Sequence, residues 1–173
     1  MPVLKGLEWT FDTVATTYEK LRPGYVAELY EVIFNYISIN ENSNVVEVGS
    51  GGGQATAPIL KTGCQLTAVE YGEQFSELLR EKFKEYPKFS VITGKFEDIE
   101  FCENSVDLVF SASAFHWVPE NIGYEKVFVE INKETVTVIV SKLDETKNDV
   151  AKIINVVFKT VGVNVFVEVM FKN

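Results

Sequence analysis

Histidine is nearly absent from this sequence: His116 stands alone among 173 residues. Cysteine is almost as scarce, with Cys64 and Cys102 far apart and neither in a CxxC pair. A metal centre draws on Cys, His and acidic ligands at short, characteristic spacings, so this scarcity argues against one. Nor is there the cysteine density of a disulfide scaffold, and both cysteines are read as buried small hydrophobes. Positive charge is also in short supply, with 16 Lys and Arg against 25 Asp and Glu and a net charge of -9. No compact basic run is present, which argues against a nucleic-acid partner held mainly through its phosphates. Charge alone leaves a polynucleotide substrate open, but a small neutral or cationic ligand suits it better, and one local basic patch can still hold an anion. Long apolar runs are missing as well: no segment reaches the ~18 residues of a membrane span, and the first dozen residues lack the core of a signal peptide. A cytoplasmic protein with no membrane segment is expected. Hydrophobic residues make up 46% of the chain, enough for one substantial core, so residues 1–173 are read as one domain.

What the sequence has is a stretch around which the rest is organised, NVVEVGSGGGQAT, residues 44–56. Val45, Val46 and Val48 suit a short strand buried in a parallel sheet. Gly49, Gly51, Gly52 and Gly53 then suit a tight turn opening into a helix, where backbone approaches a ligand too closely for a Cβ. The combination points to a cofactor pocket.

Around it the chain alternates strand and helix. Residues 13–21 suit a short helix, on which Tyr18 and Arg22 would share a face four residues apart. They are either an anion or carboxylate site or a pair that packs locally. Val26, Leu29, Ile33 and Ile37 recur at helical spacing and predict a helix over 25–37. Further helices are predicted over 54–61, 72–86, 124–131 and 149–161, and strands over 44–48, 65–69, 89–93, 106–110, 135–140 and 163–171. Within 72–86, Phe75, Leu78, Leu79 and Phe83 form a stripe read as core. The segment 142–148 is read as a charged loop.

Several residues fall where open α/β sheets bind ligands, at the C-terminal ends of strands. Glu70 ends the second strand, 21 residues beyond Gly49, the place from which a carboxylate accepts ribose hydroxyls. Glu97 and Asp98 leave the third strand, as base-amine ligands or as a solvated turn. Residues 111–117 follow the fourth strand and carry His116 and Trp117; position rather than residue type makes His116 a candidate.

A strand, a glycine turn, a helix and a strand ending in an acid occur in both dinucleotide oxidoreductases and S-adenosylmethionine-dependent methyltransferases. The dinucleotide fingerprint is Gly-x-Gly-x-x-Gly, and here Gln54 stands in its last place. EVGSGGG instead resembles the acidic-x-Gly-x-Gly-x-Gly motif of the class I methyltransferases. FDTVATTYEKLRPGY, the acid Glu70, GKFEDIEF and VDLVFSASAFHWV follow in the order found in methyltransferase type 11 and trans-aconitate methyltransferase-like proteins. The resemblance covers 11–117.

It implies an α/β, Rossmann-like three-layer sandwich, with residues 1–37 as a helical cap and 44–173 as the core. Its mostly parallel central sheet would carry an antiparallel C-terminal strand. It implies S-adenosyl-L-methionine as cofactor, with Glu47, Gly49, Ser50, Gly51 and Gly53 at the methionine part. Glu70 would take the ribose, Tyr71, Glu97 and Asp98 the adenine, and Ser111 the crevice wall. Tyr18, Arg22, His116 and Trp117 would sit where cofactor and a small-molecule acceptor meet. A sulfonium methyl is already activated, so alignment and exclusion of water are the main requirements. A hydroxyl or amine acceptor would need a base, for which His116 is placed. The resemblance weakens toward the C-terminus, where FVEINKETVTVIV replaces the family's basic residue and Leu-x-Pro-Gly-Gly turn. A shortened cap there implies an open site, or a second copy or protein partner that completes it, or a cofactor-binding regulatory module without turnover.

Overall fold

The computed structural model describes residues 10–102, 105–127, 136–142, 155–161 and 164–171. Among these residues the first of seven strands, β1 (Asn44–Val48), lies inside a sheet whose order is β3-β2-β1-β4-β5-β7-β6. It pairs in parallel with β2 (Gln65–Glu70) on one side and β4 (Leu108–Ala112) on the other. Outside these lie β3 (Phe89–Thr93), parallel to β2, and β5 (Val136–Lys142), parallel to β4. From β1 the chain builds outward to β3 in one direction, then returns to build β4 and β5 in the other. The C-terminal ends of β1 and β4 therefore flank a crevice.

Side chains alternate across these strands and give the sheet two apolar faces. Val45, Leu66, Ala68, Leu108 and Phe110 join Leu29, Ile33, Ile59 and Leu79 from the helices in one cluster. Val46, Val48, Val69 and Val109 join Phe96, Phe115 and Val127 in the other. Glu47 falls on the same side of β1 as Val45, inside the protein rather than at its edge, and is 1% exposed.

Several helices are shorter than their apolar periodicity predicts. The first begins with a 3-10 turn at Asp12–Val14 and continues as α1 (Ala15–Leu21); α2 (Ala27–Tyr36) follows Pro23 and Gly24. Helix α3 is only Thr56–Leu60, because residues 51–55 are spent in the glycine turn. Pro58, third in α3, lies in the first turn, where a missing N–H breaks no bond. Helix α4 (Glu73–Lys82) stops four residues before the predicted end: Phe83 leaves helical geometry, and Tyr86 N–H turns back to the Phe83 carbonyl at 2.9 Å. Helix α5 (Glu120–Lys126) starts after Pro119, earlier than predicted, and the predicted residues 128–131 lie outside the described residues.

Three further expectations are corrected. The fourth strand is shifted two residues along, since pairing of Leu108 with Val136 and Val45 sets its start. The helix predicted over 149–161 is not found where it can be seen: β6 (Asn155–Val161) is a strand, antiparallel to β7 (Asn164–Phe171). Its Val156, Val157, Thr160 and Val161 are β-branched and suit a pleated surface. The antiparallel member is consequently β6, while the last strand runs parallel to β5. Residues 143–154, including most of the predicted charged loop, lie outside the described residues. Cys64 is buried as expected, but Cys102 is exposed. No helix among the described residues is long and apolar enough to cross a membrane.

Candidate functional site

The crevice at the ends of β1, β2 and β4 is a cavity of about 350 Å³. Its floor is the turn after β1. Gly49 has φ +71°, and a Cβ there would collide with the Cβ of Ala114. Gly51, at φ +53°, lies under the ring of Tyr18. Ser113, between β4 and the 3-10 turn Phe115–Trp117, is a non-glycine residue at φ 60°, where L side chains are strained. Its hydroxyl accepts from Tyr25 Oη at 3.2 Å, which ties the segment after β4 to the N-terminal part of the chain.

Two carboxylates stand at the back. Glu70 Oε2 accepts the Gly51 N–H at 2.7 Å, and Oε1 accepts the Gly72 N–H at 3.1 Å. Burial raises its pKa, and the Gly72 and Gly51 amides partly offset the rise. Glu47 has no such support. Burial pushes its pKa up to about 7. The Thr56 and Ser50 hydroxyls lie close enough to favour the ionised form, yet neither reaches regular hydrogen-bond geometry. Glu47 Oε2, Ser50 Oγ and Thr56 Oγ1 are thus buried without a conventional partner.

The N-terminal segment closes the front with aromatic rings. Phe11, Tyr18 and Phe75 meet edge to face, with centroids 6.0 and 5.4 Å apart, and Phe11 also meets Trp117 at 6.2 Å. The Arg22 guanidinium lies over the Tyr18 ring at 5.2 Å, so the predicted pair does share a face. Burial lowers the Arg22 pKa, but the Tyr25 and Tyr18 hydroxyls beside it outweigh this and leave it raised. His116 is exposed on one side and packs against Trp117 at 5.1 Å on the other. Its partial burial, and then the Arg22 charge, hold its pKa below the ordinary 6.5, so the imidazole is neutral at pH 7.

Two polar links, both invisible to local pattern, hold this segment down. Asp12 Oδ1 and Oδ2 accept the Phe75 and Gln74 N–H groups at 3.0 and 3.2 Å, so a residue about sixty positions earlier caps α4. Gly72 makes room for it, because a Cβ there would collide with Asp12 Oδ1. Near the other end of α4, Lys82 Nζ pairs with Glu19 at 2.7 Å and donates to the Gly52 carbonyl at 2.8 Å.

The cavity therefore brings together Tyr18, Arg22, Glu47, Gly49, Ser50, Gly51, Glu70, Tyr71, Glu97, His116 and Trp117. It does not bring in three others. Gly53 turns away, its missing Cβ position 2.6 Å from the Phe83 ring. Asp98 is exposed on the 3-10 turn Phe96–Asp98. Ser111 is buried and donates to the Val48 carbonyl at 2.9 Å, bracing β4 against β1 rather than facing the crevice. Phe11, Asp12, Tyr25 and Phe75 line the cavity although the sequence did not single them out for it. Phe75 was hidden by its place in an apolar stripe. No group of three or more His, Cys, Asp or Glu among the described residues is arranged to hold a metal ion.

Comparisons with known proteins bear on the fold and the family. An uncharacterised methyltransferase of Schizosaccharomyces pombe is 29% identical over 120 residues, 69% of this chain and 47% of its own length. A ribosomal RNA small subunit methyltransferase A of Borreliella burgdorferi is 32% identical over 121 residues, 65% of this chain and 43% of its own. The chain spans about half the length of the curated relatives it matches. A solved structure of Haemonchus contortus phosphoethanolamine N-methyltransferase 2 in complex with S-adenosyl-L-methionine shares the fold. Its TM-score is 0.59 at 17% identity, over 70% of this chain and 30% of that one. The methyltransferase domain profile matches residues 46–136, from the middle of β1 to the start of β5. With more than half of its length in that match, the chain belongs to the methyltransferase domain family.

Proposed function

We propose that this chain binds S-adenosyl-L-methionine and transfers its methyl group to a small-molecule acceptor. The observation that carries this reading is the convergence, in one cavity, of a positive-φ glycine turn, two buried carboxylates and an aromatic front.

The residues present suit that cofactor. Gly49 and Gly51 keep side chains off the floor, so ligand can lie against backbone. Glu70 uses one acceptor site on each oxygen for Gly51 and Gly72, and a carboxylate has about four in all, which leaves capacity for ribose hydroxyls. Glu47, whose Oε2 has no hydrogen-bond partner and which lines the cavity, suits a cationic group. When bound, the cofactor supplies a methyl group already activated on a sulfonium sulfur.

The chain's own work is then to position an acceptor and keep water out. Phe11, Tyr18, Phe75 and Trp117 wall the front with apolar surface, and Arg22 can orient an anionic part of a ligand. His116, neutral at pH 7, can accept a proton from a hydroxyl or amine acceptor; a carboxylate acceptor needs no base. A net charge of -9 favours a small acceptor over RNA, although the relatives include an enzyme named for ribosomal RNA. The rival reading is a cofactor-binding regulatory module, and it is separated from an enzyme by turnover alone.

The test is release of S-adenosylhomocysteine from S-adenosylmethionine across a panel of carboxylates, amines, hydroxylated small molecules and ribosomal RNA. Turnover with one small-molecule class is expected. His116→Ala should lower kcat by about 10²–10⁴ for a hydroxyl or amine acceptor and hardly at all for a carboxylate. Binding without turnover across the panel would favour the regulatory module, and turnover only with RNA would overturn the small-acceptor reading.

A further inference from the structure

Glu47 combines features that a purely structural carboxyl would not need. It is 1% exposed, lies in the middle of the sheet, and still lines the cavity. Its Oε2 lacks a hydrogen-bond partner, and so do the two hydroxyls beside it, Ser50 Oγ and Thr56 Oγ1. An ionised carboxylate with unfilled acceptor sites is costly inside a protein, whereas the neutral acid is not. The charged and titratable groups around it do not relieve this. Tyr30 on α2 is an acid whose own ionisation is pushed up by burial and then by Glu47, and Glu70 at the end of β2 is of like charge. Thr56 on α3 and Ser50 in the glycine turn offer only hydroxyls.

We propose that Glu47 is a proton-exchanging ammonium site: below neutral pH its carboxyl holds a proton in the free protein and releases it to solvent when a ligand's ammonium group binds beside it. This deepens, and rests on, the reading of the pocket as a methionine-cofactor site. The chemistry of the cluster selects the ligand class. One carboxyl and two hydroxyls match a single positive charge with several N–H donors, and they fall short of a divalent metal's ligand set. On ionisation the two hydroxyls can turn to donate to the carboxylate, while the ammonium fills the remaining acceptor site. A ligand hydroxyl would bond the neutral acid equally well and would release no proton.

The free carboxyl, with its pKa raised to about 7, sets the window. Below that value binding must expel a proton, so affinity falls as pH falls; above it the site is already ionised and affinity levels off. Calorimetry of S-adenosylhomocysteine binding, repeated in buffers of different ionisation heat, reads the protons directly. Close to one proton should be released at pH 6 and few at pH 8, and Kd should weaken by about tenfold per pH unit below 7. The ligand 5′-methylthioadenosine, which lacks the ammonium, should bind without that proton. Release should persist in His116→Asn and vanish in Glu47→Gln. Should Glu47→Gln not fold, the infrared band of the protonated carboxyl in the unmodified protein replaces it, and that band should disappear on ligand binding. Binding with no proton released at pH 6, or release that survives in Glu47→Gln, overturns the proposal and leaves the cofactor reading standing. No binding at pH 8 overturns both.

Discussion

At the residue scale the glycine turn makes the sharpest demands. Gly49 and Gly63 both have left-handed backbone, at φ +71° and +81°, but their surroundings differ. A Cβ on Gly49 would strike Ala114 in the cavity wall, whereas one on Gly63 would sit 3.6 Å from Glu41 Cβ, an ordinary contact. Backbone strain should cost both Gly49→Ala and Gly63→Ala about 1–2 kcal/mol in denaturant unfolding, and the overlap with Ala114 adds to the cost at Gly49. Only Gly49→Ala should also displace the Ser113–Ala114 wall, and S-adenosylhomocysteine affinity should fall at least about tenfold in it while Gly63→Ala binds as before. Equal losses of binding in the two would show that strain, rather than the pocket floor, is what Gly49 relieves. The same turn was plain in the sequence, because positive φ and close approach leave few alternatives to glycine. The exclusion of Gly53 was not, since the Phe83 ring that it faces comes from another element.

Elements show where local pattern stops being informative. Strands β1, β2 and β3 could be read within one residue, since each is a short apolar or β-branched run bounded by turn residues. Strand β4 was misplaced by two residues because Val106 is as apolar as Leu108, and only pairing with β1 and β5 decides where the ladder starts. Helical period in 149–161 misled at β6, where antiparallel pairing with β7 prevails over the spacing of Val150, Ile153, Ile154 and Val157. The cap of α4 is out of reach of any sequence window: Gly72 offers no side chain, and Asp12 supplies the acceptor from the N-terminal segment. Asp12→Ala should destabilise the fold by about 0.5–2 kcal/mol, a fall in Tm of a few degrees at ~2–4 °C per kcal/mol. It should also weaken S-adenosylhomocysteine binding, since the same contact holds the aromatic front in place. A thermal scan and a titration of one sample read both effects; lost stability with unchanged affinity would mean that Asp12 serves α4 alone.

On the scale of the whole molecule, the sheet order creates the site. Reversal of strand order between β1 and β4 opens a crevice, and the N-terminal segment closes its front through Asp12, Glu19 and the Phe11, Tyr18 and Phe75 rings. Sequence motifs marked the crevice's floor and back because those residues are consecutive or sit at strand ends. Its front was only partly legible, because Phe11, Tyr25 and Phe75 converge through tertiary contacts. The acceptor is less legible still: Arg22 and the neutral His116 define chemistry that several acceptor classes share. The methyl-donor pocket is the claim on which all the rest depends, and calorimetry of the intact chain at pH 8 with S-adenosylmethionine, S-adenosylhomocysteine and NAD in parallel tests it most directly. Saturable binding of the first two and none of NAD is the predicted result; saturable binding of NAD alone, or of none of the three, would contradict it.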